Sequence, residues 1–211
     1  MKTRKVVSIV LLICVLLSIP FTTHAAEANT AVVDISATYD LSESLEKAKE
    51  GSVDSNIDRD ILEQITVSGN DSVSYTVEHL GTVSGGARSA DAGDMYALTA
   101  TQKITSKDNS EDNVYAWLTL IWIDHFGTQN EIVEVSGGWD SNGRTLSNRS
   151  VMYGYSNTFD SYYKFERPYT DRFTYTNIGM FGLTLTAQSS VESGGYTENP
   201  IEVWITPTIF D

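Results

Sequence analysis

The sequence predicts an all-β fold, namely an antiparallel β-sandwich of about 8–10 strands with a short N-terminal helical segment. Short runs in which apolar and polar residues alternate recur from residue 67 to the C-terminus. Turn sequences separate these runs at short intervals, and helical spacing is confined to residues 40–65. We therefore expect a leader at 1–25, a strand plus helical segment at 26–66 and the sandwich at 67–211.

The N-terminus has the layout of a cleavable export signal. Lys2, Arg4 and Lys5 precede an apolar run, Val6 to Ile19, and the small residues Ala25 and Ala26 follow it. The run has 14 residues, fewer than the about 20 that a membrane-spanning helix needs. The sequence therefore predicts that residues 1–25 are removed as a signal peptide. The mature chain is then secreted and keeps no transmembrane anchor.

Bulk composition restricts the partners of the mature chain. Cys14, inside the leader, is the only cysteine, so the mature chain depends on apolar burial rather than on disulfides, which favours a bacterial source. Without the leader the chain has 11 basic and 28 acidic residues, a formal net charge of −17. Because such a surface repels phosphate backbones, nucleic acid is not an expected partner.

The segment 26–66 contains one alternating run and two helical patterns. Alternation from Val33 to Tyr39 predicts a strand. Asp40 and Glu43 have the spacing of a capping box, and Gly51 suits a helix end, so a helix is predicted between Asp40 and Gly51. A weaker helical stripe runs from Ile57 to Ile65. The segment is expected either to cover the sandwich or to extend from it.

The run Val114–Asp124 differs from the other predicted strands because it is apolar on both sides. Its two sides are Tyr115, Trp117, Ile121 and Ile123, and Ala116, Leu118, Leu120 and Trp122. A strand of this kind is expected at the centre of a sheet whose two faces are both covered. The helix at 40–51 is the candidate cover. Two earlier strands, at 73–77 and 96–100, are joined through a Gly- and Ser-rich loop at 84–93.

After the central strand, the sequence predicts a meander. Val133, Val135, Gly137 and Trp139 fall on one face of the next strand. The pair Asn142-Gly143 accepts positive φ at both turn positions, which favours a two-residue hairpin. With a third strand at 151–155, a three-stranded meander from 114 to 155 is expected.

Two further strands complete the sandwich, at 181–188 and at 201–209. In the last strand Ile201, Val203 and Ile205 alternate with Trp204, which is therefore predicted to face outward. Pro207 lacks the N–H that a strand ladder needs. We therefore expect the end of this strand to lie at an edge or outside the ladder.

No sequence motif identifies an enzyme. The two histidines of the mature chain, His79 and His125, are predicted to lie at the surface near strand ends. Asp124 and His125 are neighbours on a strand and point to opposite faces, so they do not form a Ser-His-acid site. A carboxylate pair could hydrolyse glycosides, but among 28 acidic residues no pair stands out. The sequence therefore leans away from catalysis.

Oxygen-bearing side chains concentrate in the loop 108–113. Asp108, Glu111 and Asp112 are candidate ligands for Ca²⁺, which prefers oxygen. The loop lacks the residue order of an EF-hand, and the alternative is a solvated turn. No other cofactor is expected.

Aromatic residues supply the remaining functional signal. Tyr162, Tyr163 and Tyr169 lie in a Tyr- and Phe-rich segment, and Trp204 is predicted to face outward. Exposed flat rings stack on the apolar faces of sugars and also anchor protein interfaces. The leading hypothesis is a secreted non-enzymatic module that binds a glycan or a protein at the cell envelope or outside the cell. The alternatives are rings that fill the core, a secreted hydrolase with a carboxylate pair, and a bacteriocin- or toxin-like effector.

Overall fold

The structure is a computed structural model, and it describes residues 41–51, 57, 59–69, 73–83, 92–105, 113–193 and 200–209. The predicted signal peptide, the strand predicted at 33–39 and most of the loop at 84–93 lie outside these ranges. All described residues belong to one compact unit, Val32–Asp211. Within them, neither helix combines the length and the hydrophobicity that crossing a bilayer requires.

The described residues form two helices and ten strands. The helices are α1 (Leu41–Glu50) and α2 (Arg59–Glu63). The strands are β1 (Ile65–Gly69), β2 (Val73–Val83), β3 (Gly93–Thr105), β4 (Asn113–Asp124), β5 (Asn130–Asp140), β6 (Leu146–Ser156), β7 (Ser161–Glu166), β8 (Arg172–Gly182), β9 (Thr184–Ser193) and β10 (Ile201–Pro207). The predicted helix is confirmed as α1, which ends at Gly51 with a φ of +68°.

The strands form two five-stranded antiparallel sheets. Sheet I has the order β1-β10-β9-β6-β7, and sheet II has the order β2-β3-β4-β5-β8. The predicted antiparallel sandwich is confirmed. β1 begins at Ile65, inside the segment predicted to precede the sandwich, and pairs with the last strand of the chain through Ile65 and Pro207.

The inner faces of the two sheets meet in one apolar core. Leu98 and Leu118 from sheet II and Leu185 and Val203 from sheet I have no exposed surface in this cluster. Because side chains on a strand alternate, every second residue of these strands enters the core and its neighbours face outward. The two-sheet core therefore follows directly from the period-two pattern of the sequence.

The outer face of sheet II is also buried at its centre, as the two-sided pattern of β4 predicts. β4 lies at the centre of this sheet, between β3 and β5. On its outer side Ile121 is fully buried in a second cluster with Met95, Ala97 and Ile123. Further along, α1 packs on β2 and β3: its Ala48 has no exposed surface, and its Ser44 donates a hydrogen bond to Glu78.

The prediction for Val133 was wrong, because a β-bulge interrupts β5. The register shifts between Ile132 and Glu134 against β8, and between Ile121 and Trp122 against β4. The extra residue places Ile132 and Val135 in the core and leaves Val133 against the outer cluster. Strict alternation cannot foresee such an insertion.

The predicted meander was wrong as well. The turn itself forms: Asn142 and Gly143 have φ of 49° and 86°, and the N–H of Arg144 donates to the carbonyl of Ser141 at 3.0 Å. However, β6 pairs with β7 and β9 rather than with β5. The Asn-Gly turn therefore carries the chain from sheet II to sheet I, because β6 also has an apolar face that the core must bury.

Pro207 lies at the end of its strand, as expected. The ladder between β10 and β9 stops at Ile205, two residues before Pro207. The missing N–H therefore costs no hydrogen bond between these two strands.

Candidate functional site

The outer face of sheet I has a row of large side chains that crosses four strands. The strand register pairs Trp204 of β10 with Gln188 of β9, Gln188 with Met152 of β6, and Met152 with Phe165 of β7. Paired residues point to the same face, so all four side chains stand on the outer side. Three strand spacings of about 4.8 Å make the row about 14 Å long.

Trp204 lies outward for the reason that the sequence gives. Its neighbours Val203 and Ile205 are fully buried in the core, so the alternating side chain between them must face away from it. Trp204 is half-buried, because β10 is an inner strand and side chains on β1 and β9 flank it. The predicted outward orientation of Trp204 is confirmed.

Tyr163 joins this face one step from Phe165 along β7. It is paired with Gly154 of β6. A Cβ on Gly154 would lie 2.8 Å from Cδ1 of Tyr163, so the tyrosine ring lies directly over the glycine. An aromatic ring that covers a cross-strand glycine is a recognised way to protect the backbone of a sheet. The contact holds the Tyr163 ring against the sheet. We call Trp204, Gln188, Met152, Phe165 and Tyr163 the aromatic face.

Tyr162 lies on the opposite side of β7. It is paired with Tyr155, and the two ring centroids are 6.5 Å apart. Lys164 lies on the same side, and its Nζ is 2.7 Å from Oε1 of Glu166. The hydrogen bond to Glu166 raises the pKa of the Lys164 ammonium above its usual value. The two sides of β7 therefore differ in charge. The outer side has the uncharged rings of Tyr163 and Phe165, whereas the other side has Tyr162 together with the charged residues Lys164 and Glu166.

The predicted site residues thus divide between three places. Trp204 and Tyr163 share the aromatic face, and Tyr162 stands on the other side of the same edge strand. Tyr169 is fully exposed in the connection between β7 and β8. Phe165, 72% exposed, and Met152 belong to the face although the sequence did not single them out. Alternation within β7 could have paired Phe165 with Tyr163, but only the strand order shows that Met152 lies between Phe165 and Trp204.

Polar groups surround the rings of the aromatic face. The Gln188 amide lies within the row, Ser68 extends it on β1, and Glu202 accepts a hydrogen bond from Ser190 at 3.5 Å. Flat rings with amide, hydroxyl and carboxylate groups beside them can stack on one face of a sugar while bonding its hydroxyls. The arrangement is suited to binding.

The prediction for His125 was wrong, because this histidine is 6% exposed. Its Nε2 is 3.1 Å from Oε2 of Glu131, its Nδ1 is 3.2 Å from the carbonyl oxygen of Ala92, and Phe181 stacks on its ring at 5.9 Å. The side chain fastens the turn after β4 to the start of β3. His79 is exposed, as predicted.

The candidate calcium ligands Asp108, Glu111 and Asp112 lie outside the described residues. In the part of the chain that the structure describes, no three His, Cys, Asp or Glu side chains are grouped so that they could hold a metal ion. The calcium site therefore stays a prediction.

Comparison of the chain with protein-family models, with curated proteins and with solved structures gives no match. The fold and the geometry of the aromatic face are therefore the basis for assigning a function.

Proposed function

We propose that this protein is a secreted non-enzymatic module that binds a glycan at the cell envelope or outside the cell through the aromatic face. The observation that carries the proposal is the single cross-strand row from Trp204 to Phe165, with Tyr163 held flat beside it. Secretion is inferred from the leader predicted at 1–25. A secreted module meets polysaccharides at the cell envelope and outside the cell.

The shape of the face favours a glycan over a compact ligand. The row lies on an open sheet rather than in a cleft, and it extends about 14 Å across the strands. An extended chain of sugar rings fits a flat row of this length. The inner core of the sandwich and the antiparallel pairing keep the row rigid, which limits the entropy lost on binding.

The chemistry of the face points the same way. Aromatic rings supply apolar contact to sugar C–H groups, and Gln188, Ser68 and Glu202 supply hydrogen-bond partners for hydroxyls. No lysine or arginine belongs to the row. A neutral polysaccharide is therefore the expected ligand, because an acidic one would face a mature chain with a formal net charge of −17.

Retention on purified cell walls, chitin and cellulose tests the proposal. Trp204→Ala and Tyr163→Ala should each weaken retention by at least ~10-fold, the loss expected when an anchoring ring worth about 1.4 kcal/mol is removed. Tyr162→Ala is the matched control, since it removes an exposed tyrosine from the adjacent position on the opposite side of β7. Equal retention of all three variants would overturn the proposed site. A different result would indicate a protein partner instead of a glycan. In that case the parent chain is not retained on any polysaccharide but co-purifies with an envelope protein, and Trp204→Ala loses this protein.

A further inference from the structure

A second concave site lies on the other sheet. A cavity of about 460 Å³ opens between α1 and the outer face of sheet II, which is the size range of small-molecule pockets. Its lining includes Leu45 and Lys49 of α1, Tyr115 and Trp117 of β4, and Arg172 of β8. We infer that this cavity binds a small saccharide unit that carries a carboxylate. This inference does not depend on the aromatic face, which lies on sheet I.

The walls of the cavity are aromatic and fixed in place. Trp117 is 7% exposed, and a Cβ on Gly138 would lie 2.5 Å from its Cζ2 atom, so the indole is pressed against the glycine backbone. Only a glycine at position 138 leaves room for the indole in this position. Tyr115 stands two residues earlier on the same side of β4. Together these rings give a sugar apolar contacts that do not need rearrangement.

The cations of the cavity stack on these rings. The Arg172 guanidinium lies 5.7 Å from the centre of the Trp117 ring, and Nζ of Lys49 lies 5.8 Å from the centre of the Tyr115 ring. Among the described residues Arg172 forms no ion pair. A planar guanidinium that is stacked but lacks a carboxylate partner is prepared for a bidentate contact with a ligand carboxylate.

The two acidic residues of the lining are already engaged. Asp171 accepts a hydrogen bond from Nε of Arg149 at 2.8 Å, and Asp140 accepts one from the backbone N–H of Asn142 at 3.0 Å. Lys49 is also paired, since its Nζ lies 2.7 Å from Oε1 of Glu46. Among the described charged residues of the lining, Arg172 is therefore the cation that has no carboxylate partner and can receive one from a ligand.

One buried donor lacks an acceptor beside this cavity. Trp139, also part of the lining, is 2% exposed, and its indole Nε1–H has no hydrogen-bond partner in the described part of the chain. Buried donors are nearly always paired in proteins, so this donor is open to an acceptor that the described residues do not supply. A sugar hydroxyl or carboxylate oxygen is a suitable acceptor, and the hydroxyls of Thr101 and Ser141 add polar contacts in the same lining.

The inference is tested by titrating the full mature chain with D-glucuronate and, separately, with D-glucose. Tryptophan fluorescence and calorimetry measure the binding. Glucuronate should change the fluorescence and bind at least ~10-fold more tightly than glucose, because only glucuronate offers a carboxylate to Arg172. Arg172→Gln should remove this preference, whereas Arg167→Gln, a change of an exposed arginine outside the cavity, should keep it.

Three results would overturn the inference: no response to glucuronate, equal binding of glucose, or an unchanged affinity in Arg172→Gln. Trp204→Ala separates this site from the proposed function. It should leave glucuronate binding intact even where it abolishes retention on polysaccharides, and the two proposals therefore fail independently.

Discussion

The outer faces of the two sheets have opposite characters although the sheets have the same number of strands. On sheet II, Thr99, Thr119 and Ile121 have no exposed surface, and the two threonine hydroxyls bond each other at 2.9 Å. On sheet I, Phe165 is 72% exposed and Trp204 and Met152 are half-buried. The centre of one outer face is therefore a second core, and the other outer face presents large apolar side chains to solvent.

Stability and binding depend on different outer faces of the sandwich. Burial on both faces of sheet II removes apolar surface from water, so its residues contribute mainly to the free energy of folding. The rings of sheet I leave part of that surface in water, and this surface remains available to a ligand. Changes of the buried residues around Ile121 on sheet II should thus affect folding, and changes on the aromatic face should affect binding.

The largest expected effect is a loss of stability from Ile121→Ala on the outer face of sheet II. Ile121 is fully buried beside Met95, Ala97 and Ile123, so truncation leaves a cavity and should lower the free energy of unfolding by about 2–5 kcal/mol. Met152→Ala, on the outer face of sheet I, is the control and should cost less than about 1 kcal/mol. Urea denaturation measures both. Equal losses would remove the distinction between the two faces.

An intermediate effect is expected from Gly154→Ala, which tests how Tyr163 is held. The new Cβ would lie 2.0 Å from the backbone oxygen of Tyr162, so the edge strand β7 must shift. We expect a loss of about 1–3 kcal/mol together with weaker glycan retention, since the Tyr163 ring loses its position. Ser150→Ala, on the same strand and face, should stay within about 0.5 kcal/mol of the parent chain. Unchanged retention in Gly154→Ala would show that the packing of Tyr163 on Gly154 does not matter for binding.

The smallest effect is the pH dependence of Glu134, which lies on the outer side of sheet II beside Ile121. Burial raises the pKa of its carboxyl above the usual value of 4.5. A raised folded-state pKa stabilises the fold below the unfolded pKa, and this contribution is lost as the pH rises through the folded pKa. Glu134→Gln does not titrate, so its stability relative to the parent should increase from pH 4 towards pH 7. A constant difference across this range in thermal melts would contradict the assignment.

Much of the fold could be predicted from the sequence, because period-two alternation reports burial directly. The two sides of β4 and the outward Trp204 follow from this pattern alone. The position of Val133 could not be predicted, since a bulge adds a residue without a sequence mark. The positive φ angles at Asn142 and Gly143 were correctly predicted, but the hairpin was wrong. The chemistry of the turn fixes its backbone angles and not the sheet that the next strand joins.

The candidate site was predictable only in part. Aromatic content drew attention to Tyr162, Tyr163 and Trp204, but the sequence does not state which strands are neighbours. The pairing of β10, β9, β6 and β7 comes from long-range register, and it brings Trp204 into one row with Phe165. The burial of His125 also depends on distant groups, because Ala92 lies 33 residues away along the chain.

Binding at the aromatic face can be observed through the indole N–H signals of the four tryptophans. Two-dimensional NMR follows these signals while a soluble fragment of the retained polysaccharide is added. The Trp204 signal should shift in proportion to occupancy, and the signal of Trp122, which is buried in the core, should stay in place. Binding that leaves the Trp204 signal unmoved would contradict the assignment of the ligand to the outer face of sheet I.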